Sequence, residues 1–497
     1  MQATYFAHMA VFRRTENGII STMEITVAPN DPVEIRRIHL HNNLDQTRHL
    51  RITSYGEVIL APQATDARHP AFNKLFIESE FIPEYSLQIF KRRPRSDEEA
   101  PLYMGHLLIV DGSQWPSYHE ADRLKFIGRG RTTRNPLAMQ SPEYLSGTSG
   151  ATLDPIFSLG QEITLAPFAS LRLAYVNFAA ESREEIISLA RRYREWNLID
   201  HSFDQSNMAA QAWLGKQDIN NEDFQNALHV LSSLVFPAKV TRAASEVIAS
   251  NRLGQPGLWR FGISGDYPIL LVELDDSRQI ELAREVLEIH KFMRSRRYKA
   301  DVVVVNKQPT NYGAELNGML YRLVSKMNGE QWLQQRGGIF ILYGDQMLPE
   351  EYTLLQTAAR MVFSGEKGSI NEQMPEYAVP VYHLPPLTAT RQAPDAETAA
   401  SEPYTYPLQN PEELQFWNGY GGFSADGKDY VIHLPGSPVA GNGDADEKHR
   451  ATPAPWVNVI GYPGFGFMVS ESGSQCTWAL NSGENRLTPW FNDPVSD

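Results

Sequence analysis

Residues 453–497, PAPWVNVIGYPGFGFMVSESGSQCTWALNSGENRLTPWFNDPVSD, hold the pattern on which the fold turns. Phe465, Phe467 and Val469 alternate with other residues at the period of a half-buried strand. Glu471-Ser472-Gly473-Ser474 then interrupts them with turn formers. Trp456, Trp478 and Trp490 stand among Asn458, Asn481, Asn485, Asn492, Glu471, Glu484, Arg486 and Asp493. Flat apolar rings beside amides and carboxylates suit a sugar, whose C–H faces stack on indole while its hydroxyls bond the polar groups. The same residues also fit core tryptophans with solvated turns.

The composition narrows the function classes. At 497 residues the chain predicts two to four domains. Hydrophobic content of 42% and charged content of 21% are those of an ordinary globular protein. A net charge of −14 argues against nucleic acid as a partner, because phosphate binding needs a basic surface. No apolar run approaches the ~20 residues of a membrane span, and the first residues lack a basic start followed by an apolar core. Cys476 is the only cysteine, so neither an internal disulfide nor a multi-cysteine zinc site is expected. The 13 histidines show no H-E-x-x-H spacing; no metal and no cofactor are expected. A reducing, cytoplasmic compartment fits this usage.

Residues 1–180 read as many short strands. Met23, Ile25 and Val27 alternate, and Val33, Ile35, Ile38 and Leu40 follow with a slip at Arg36-Arg37 that predicts a bulge. Further runs cover 104–110, 162–165 and 171–178, separated by turn formers, as in an antiparallel sandwich. Ser182 followed three residues later by Glu185 is a capping box, opening a helical linker over 181–240 whose residues read as packing positions.

From 241 to 374 the pattern is α/β. Residues 268–274, 301–306 and 338–343 are continuous apolar strands; helices are predicted around 280–290, over 311–327 and over 349–363. Such runs predict a parallel sheet covered on both faces. The glycine-rich loop 251–266 has no nucleotide-binding spacing, and Asp266 stands where a nucleophile elbow needs glycine, so neither nucleotide binding nor a serine hydrolase is expected. Residues 375–411 are a Pro-rich linker and 441–450 a second loose segment. The last domain, 412–497, opens with FWNGYGGF (416–423) and an Asp426-Gly427 hairpin turn.

PAPWVNVI, FGFMVSESGS and ENRLTPWFNDPVSD resemble the N-terminal β-sandwich of glycoside hydrolase family 94, which includes sugar phosphorylases and part of the cyclic β-1,2-glucan synthases. FIGRGRT (126–132) with Asn135-Pro136, and LDPI (153–156), resemble the later half of that sandwich. SYGEV (54–58) and HPAF (69–72) are closer to the glucan synthases. The resemblance implies an α+β multidomain chain. Residues 1–180 would be the later half of one galactose-mutarotase-like sandwich, and 412–497 the first half of a second. Paired within or between chains, the two halves would rebuild one sandwich.

It also implies that the catalytic acid of such enzymes lies in an (α/α)6 barrel outside this chain, so no catalytic residue is assigned. Glu471, Glu484 and Asp493 are expected to make contacts or cap turns. Trp456, Asn458, Trp478, Asn481, Arg486, Trp490 and Asn492 are the candidate sugar contacts. Arg129, Arg131 and Asn135 either line a sugar or phosphate pocket or, as the residues alone favour, pair with acidic groups. The implied partners are a β-glucan oligosaccharide, the flanking catalytic domains of a parent hexosyltransferase at the bacterial inner membrane, and a second copy in a homodimer. A truncated sugar phosphorylase and a carbohydrate-binding or structural module without turnover are the alternatives.

Overall fold

The apparent slip at Arg36-Arg37 is a change of face, not a bulge. Strand β4 (Val33–Asn42) pairs without a register break with β3 (Ile19–Val27) and with β13 (Ser170–Ala180). Val33 and Ile35 pack with Val176 and Phe178 against the helix Arg183–Tyr193, while Ile38 and Leu40 pack on the opposite face with Leu173 and Leu159. Arg37 continues the helix-facing stripe. Its guanidinium bonds Glu24 and Asp200 at 2.8 and 2.6 Å and lies 4.0 Å over the Phe203 ring. The same switch explains β3, where Val27 is 60% exposed and Thr26 is buried in its place.

The structure, a computed structural model, describes residues 1–96, 99–112, 117–140, 145–217, 219–374, 410–434 and 452–496. The expected linker at 375–411 falls outside them except for its last two residues, and the loose segment 441–450 falls wholly outside. The chain forms two compact units, Met1–Ala210 with Arg391–Asp497, and Gln211–Thr390. Among the described residues no helix is long and apolar enough to cross a membrane.

In the first unit a nine-stranded antiparallel sheet runs β1 (Gln2–Tyr5), β2 (Met9–Glu16), β3, β4, β13, β9 (Tyr103–Val110), β8 (Leu87–Arg92), β7 (Ile77–Ile82) and β11 (Gly150–Ala151). A four-stranded sheet, β10 (Tyr118–Asp122), β12 (Pro155–Leu165) and β5 (Arg48–Thr53), with β6 (Gly56–Glu57) also on β12, covers one face. The helices Arg183–Tyr193 and Trp196–Gln217 pack against the other. The central strands therefore bury both faces: in β9, Leu107 joins the helix-side core and Leu108 the sheet-side core.

A polar lock pins the two sheets. His106 of β9 is 1% exposed, with Nδ1 2.6 Å from Asn177 Oδ1 on β13 and Nε2 2.7 Å from Ser54 Oγ on the opposing sheet. Its ring lies 4.3 Å from Phe157 and stacks at 5.6 Å on Tyr175. Burial pushes the imidazole down to about 3, so it is neutral in the fold. Serine, histidine and asparagine in sequence resemble a catalytic triad. Here Ser54 Oγ is spent on the Leu159 amide at 2.9 Å, and the burial leaves no approach for a substrate.

The second unit holds a parallel sheet in the order β16 (Ile339–Tyr343), β15 (Asp301–Asn306), β14 (Ile269–Leu274) and β17 (Ala359–Ser364). Strands β14 and β15 are buried at every position, as their unbroken apolar runs require. The helix expected over 349–363 is shorter. It ends at Ala358, and Ala359, Met361 and Phe363 alternate inward as strand β17 beside β14. Two-residue periodicity over those last positions outweighs continuation of the helix.

Candidate functional site

The C-terminal segment of the first unit builds two small sheets of its own. A hairpin, β18 (Gly421–Phe423) with β19 (Tyr430–Ile432), turns at Gly427, whose φ of 70° suits glycine. Three antiparallel strands follow: β20 (Val457–Tyr462), β21 (Phe465–Ser470) and β22 (Gln475–Ala479). Trp478 faces Gly466 across the ladder, and its indole occupies the space a side chain there would fill: a Cβ on Gly466 would sit 2.6 Å from the ring.

The seven candidate sugar contacts do not converge on one point. Trp478, Asn481, Arg486 and Trp490 share one end of the sheet. Arg486 bridges Trp478 through the backbone, and its guanidinium donates to the carbonyls of Ser482 at 2.8 Å and Trp490 at 3.3 Å. Asn481 Oδ1 accepts from the amides of Gly483 and Glu484 at 3.1 and 2.8 Å, a turn-capping role. Asn492 is exposed in the left-handed region at φ 54°. Asn458 pairs with Val469 three positions along β20 from the Gly461–Gly466 pair, so alternation turns it to the face opposite Trp478. Trp456 stands apart, edge-on to Tyr420 and Tyr430 at 6.1 and 6.0 Å.

The acidic residues of this segment dock it onto the N-terminal sandwich. Glu471 is almost wholly buried: Oε1 meets Arg129 Nη2 at 2.7 Å and Thr452 Oγ1 at 2.6 Å, and Oε2 accepts the Trp456 amide at 2.9 Å. Arg129 thus pairs with an acidic group, and Arg131 bonds Gln140 and Asn135. Asp493 receives both terminal nitrogens of Arg123, at 2.5 and 3.2 Å. Burial pushes the Asp493 carboxyl up, but the hydrogen bonds from Arg123, the Val495 amide and Ser496, with the Arg123 charge, together outweigh it and hold the group at about 2.

Arg123 also meets Asp154 at 2.9 Å and Glu57 at 3.1 Å, and Lys74 meets Asp154 at 2.6 Å. The Tyr55 hydroxyl lies 3.2 Å from Arg123 Nε; burial, then the neighbouring Glu57, pushes it up to about 12. Val495 completes the joint, buried among Phe126, Ile127, Ala138, Leu145 and Ile156, while its carbonyl accepts the Gly130 amide at 2.8 Å. Among the described residues, 412–497 and 1–180 are in contact through these side chains and the Gly130–Val495 backbone bond. The described strands of the two segments share no sheet. Arg123 and Lys74 carried no motif, and Asp154 entered only within LDPI (153–156); only proximity in the fold assembles the three.

A sandwich flanked by helices, with a separately folded C-terminal sheet keyed into it, defines the class. The model of the glycosyl hydrolase 94 supersandwich domain matches residues 1–196 and 445–497, half of the sequence, and the chain belongs to that family. It is 31% identical over 498 residues to the cyclic beta-(1,2)-glucan synthase NdvB of Rhizobium meliloti (strain 1021), a match covering 98% of this chain. The chain spans 17% of that relative's length. Among solved structures, a polysaccharide lyase matches at TM-score 0.23 and 10% identity, covering 37% of this chain and 23% of its own. An alpha-galactosidase from Lactobacillus brevis matches at TM-score 0.18 and 9% identity, covering 71% and 50%.

Proposed function

We propose that this chain is a carbohydrate-binding and scaffolding region of a cyclic β-1,2-glucan synthase and performs no turnover by itself. The observation that carries this reading is the use of its acidic groups. Glu471 and Asp493, which stand among the tryptophans in sequence, are held in ion pairs with Arg129 and Arg123, the first buried and the second half-buried. A general acid for glycosidic cleavage must be protonated; an aspartate held at about 2 is not. What the C-terminal sheet leaves outward is the chemistry of contact, with Asn458, Asn481, Arg486 and Asn492 exposed and Trp478 and Trp490 half-buried. The relationship to a named glucan synthase supports a β-1,2-glucan as the ligand and synthase domains as the neighbours being scaffolded.

Titration with β-1,2-gluco-oligosaccharides, read by tryptophan fluorescence and calorimetry, tests the binding half. Saturable binding weakened by Trp478→Phe or Trp490→Ala is expected, and a flat titration would overturn it. Incubation of the chain with the glucan and phosphate tests the other half. Release of glucose 1-phosphate or reducing ends would return the truncated-phosphorylase reading.

A further inference from the structure

A cavity of about 600 Å³ in the first unit lies away from the C-terminal sheet. Three elements form it: the turn Pro83–Tyr85 between β7 and β8, the end of β9, and the corner where helix Arg183–Tyr193 gives way to helix Trp196–Gln217. The buried Gln161 of β12 reaches it from the other sheet. Its volume falls within the ~300–1,000 Å³ of small-molecule sites. Ser86 closes the turn in the left-handed region at φ 51°, a strained conformation for a serine that sets Tyr85 into the wall.

The wall is made of aromatic rings and guanidinium groups. Arg191 Nε meets the Tyr85 hydroxyl at 2.9 Å, and Arg194 Nη1 donates to the Glu84 carbonyl at 3.1 Å. Both guanidinium groups lie 5.6 Å from the Tyr85 ring centre. The Trp196 ring carries Arg172 at 4.7 Å, and Arg172 is itself paired with Asp111 at the cavity's edge. The Trp196 indole contributes aromatic carbon to the wall, while its Nε1 is buried.

Arg191 and Arg194 are thus held by a phenol and a carbonyl, leaving further N–H groups to spare. Glu84 and Glu195 beside them are exposed acceptors that balance their charge. An anion would gain little from such a balanced rim. A neutral polyol, needing donors and acceptors together against aromatic carbon, fits it.

The geometry points to a second carbohydrate site in this cleft, taking a short segment of a neutral glucan. It rests on the reading of the chain as a glucan-binding region but uses none of the residues of the C-terminal sheet. Its role is to hold a length of glucan against the sandwich.

The test titrates the full chain with a β-1,2-linked glucopentaose. Arg191→Gln combined with Arg194→Gln, both outside the apolar core, should weaken binding about tenfold. An unchanged melting midpoint of that variant is the control for folding. Trp478→Phe with Trp490→Ala should leave a binding event that the cleft variant abolishes. Full binding by the cleft variant overturns this site and leaves the glucan reading standing. Absence of binding by the native chain overturns both. Saturable uptake of inorganic phosphate lost in the arginine variant, without glucan binding, would show an anion site instead.

Discussion

Replacing His106 with glutamine should flatten the acid sensitivity of the N-terminal sandwich. The imidazole is neutral inside the fold, held at about 3, but takes up a proton near its ordinary 6.5 once unfolded. Stability from this group is therefore fully present above pH 6.5 and declines as pH falls from 6.5 toward 3, because the unfolded state binds the extra proton. At about 1.4 kcal/mol per pH unit, the loss by pH 5 is about 2 kcal/mol. Hydrogen exchange of peptides from β9 and β13, corrected for the intrinsic rate, reads the opening free energy of this unit alone. Between pH 7.5 and 5.0 the native chain should lose about 2 kcal/mol more than His106→Gln. The variant should be weaker at pH 7.5, through disturbance of the Ser54 and Asn177 bonds. Equal pH dependence in the two proteins would refute the neutral, buried histidine. His290 is held at about 4 by burial and should produce a parallel acid loss in peptides of the parallel sheet.

Three further outcomes probe the joint between the sandwich and the C-terminal sheet. Arg123→Ala leaves the half-buried Asp493 without its cation and the buried Asp154 with Lys74 alone, and should cost about 2–3 kcal/mol, releasing 452–496 to rapid exchange and proteolysis. Asp493, held at about 2, stabilises the joint above its ordinary 3.8; the contribution fades as pH falls from there toward 2, so acid should loosen this segment in that window. Gly466→Ala places a methyl group 2.6 Å from the Trp478 ring and should cost about 1–3 kcal/mol, with a shift in tryptophan emission.

Local patterns made much of this fold legible. The unbroken runs at 269–274 and 301–306 became the buried parallel strands, and the Asp426-Gly427 turn joins the expected hairpin. The misread places are those where the environment changes along one element. At Arg36-Arg37 the strand runs straight, and the layer it packs against changes from helices to sheet. At Ala359 the chain exchanges a helix for a strand without a glycine or proline to mark the boundary. The charged joint was illegible for a different reason: Arg123 and Asp493 are separated by 370 positions, and nothing local to either announces the other. Arg191, Arg194 and Trp196 read as packing residues of a helix; their cleft exists only because the turn at Tyr85 folds against them.

That separation also sets an order of events during synthesis. Residues 1–210 can fold as soon as they leave the ribosome, whereas Asp493 follows, at ~5–20 residues per second, tens of seconds later. In that interval Arg123 lacks Asp493, Arg129 lacks Glu471, and the apolar seat of Val495 beside Phe126, Ile127 and Ile156 stands open. The C-terminal sheet therefore acts as a late-arriving plug. A nascent sandwich lacking it exposes that apolar seat to association with other chains.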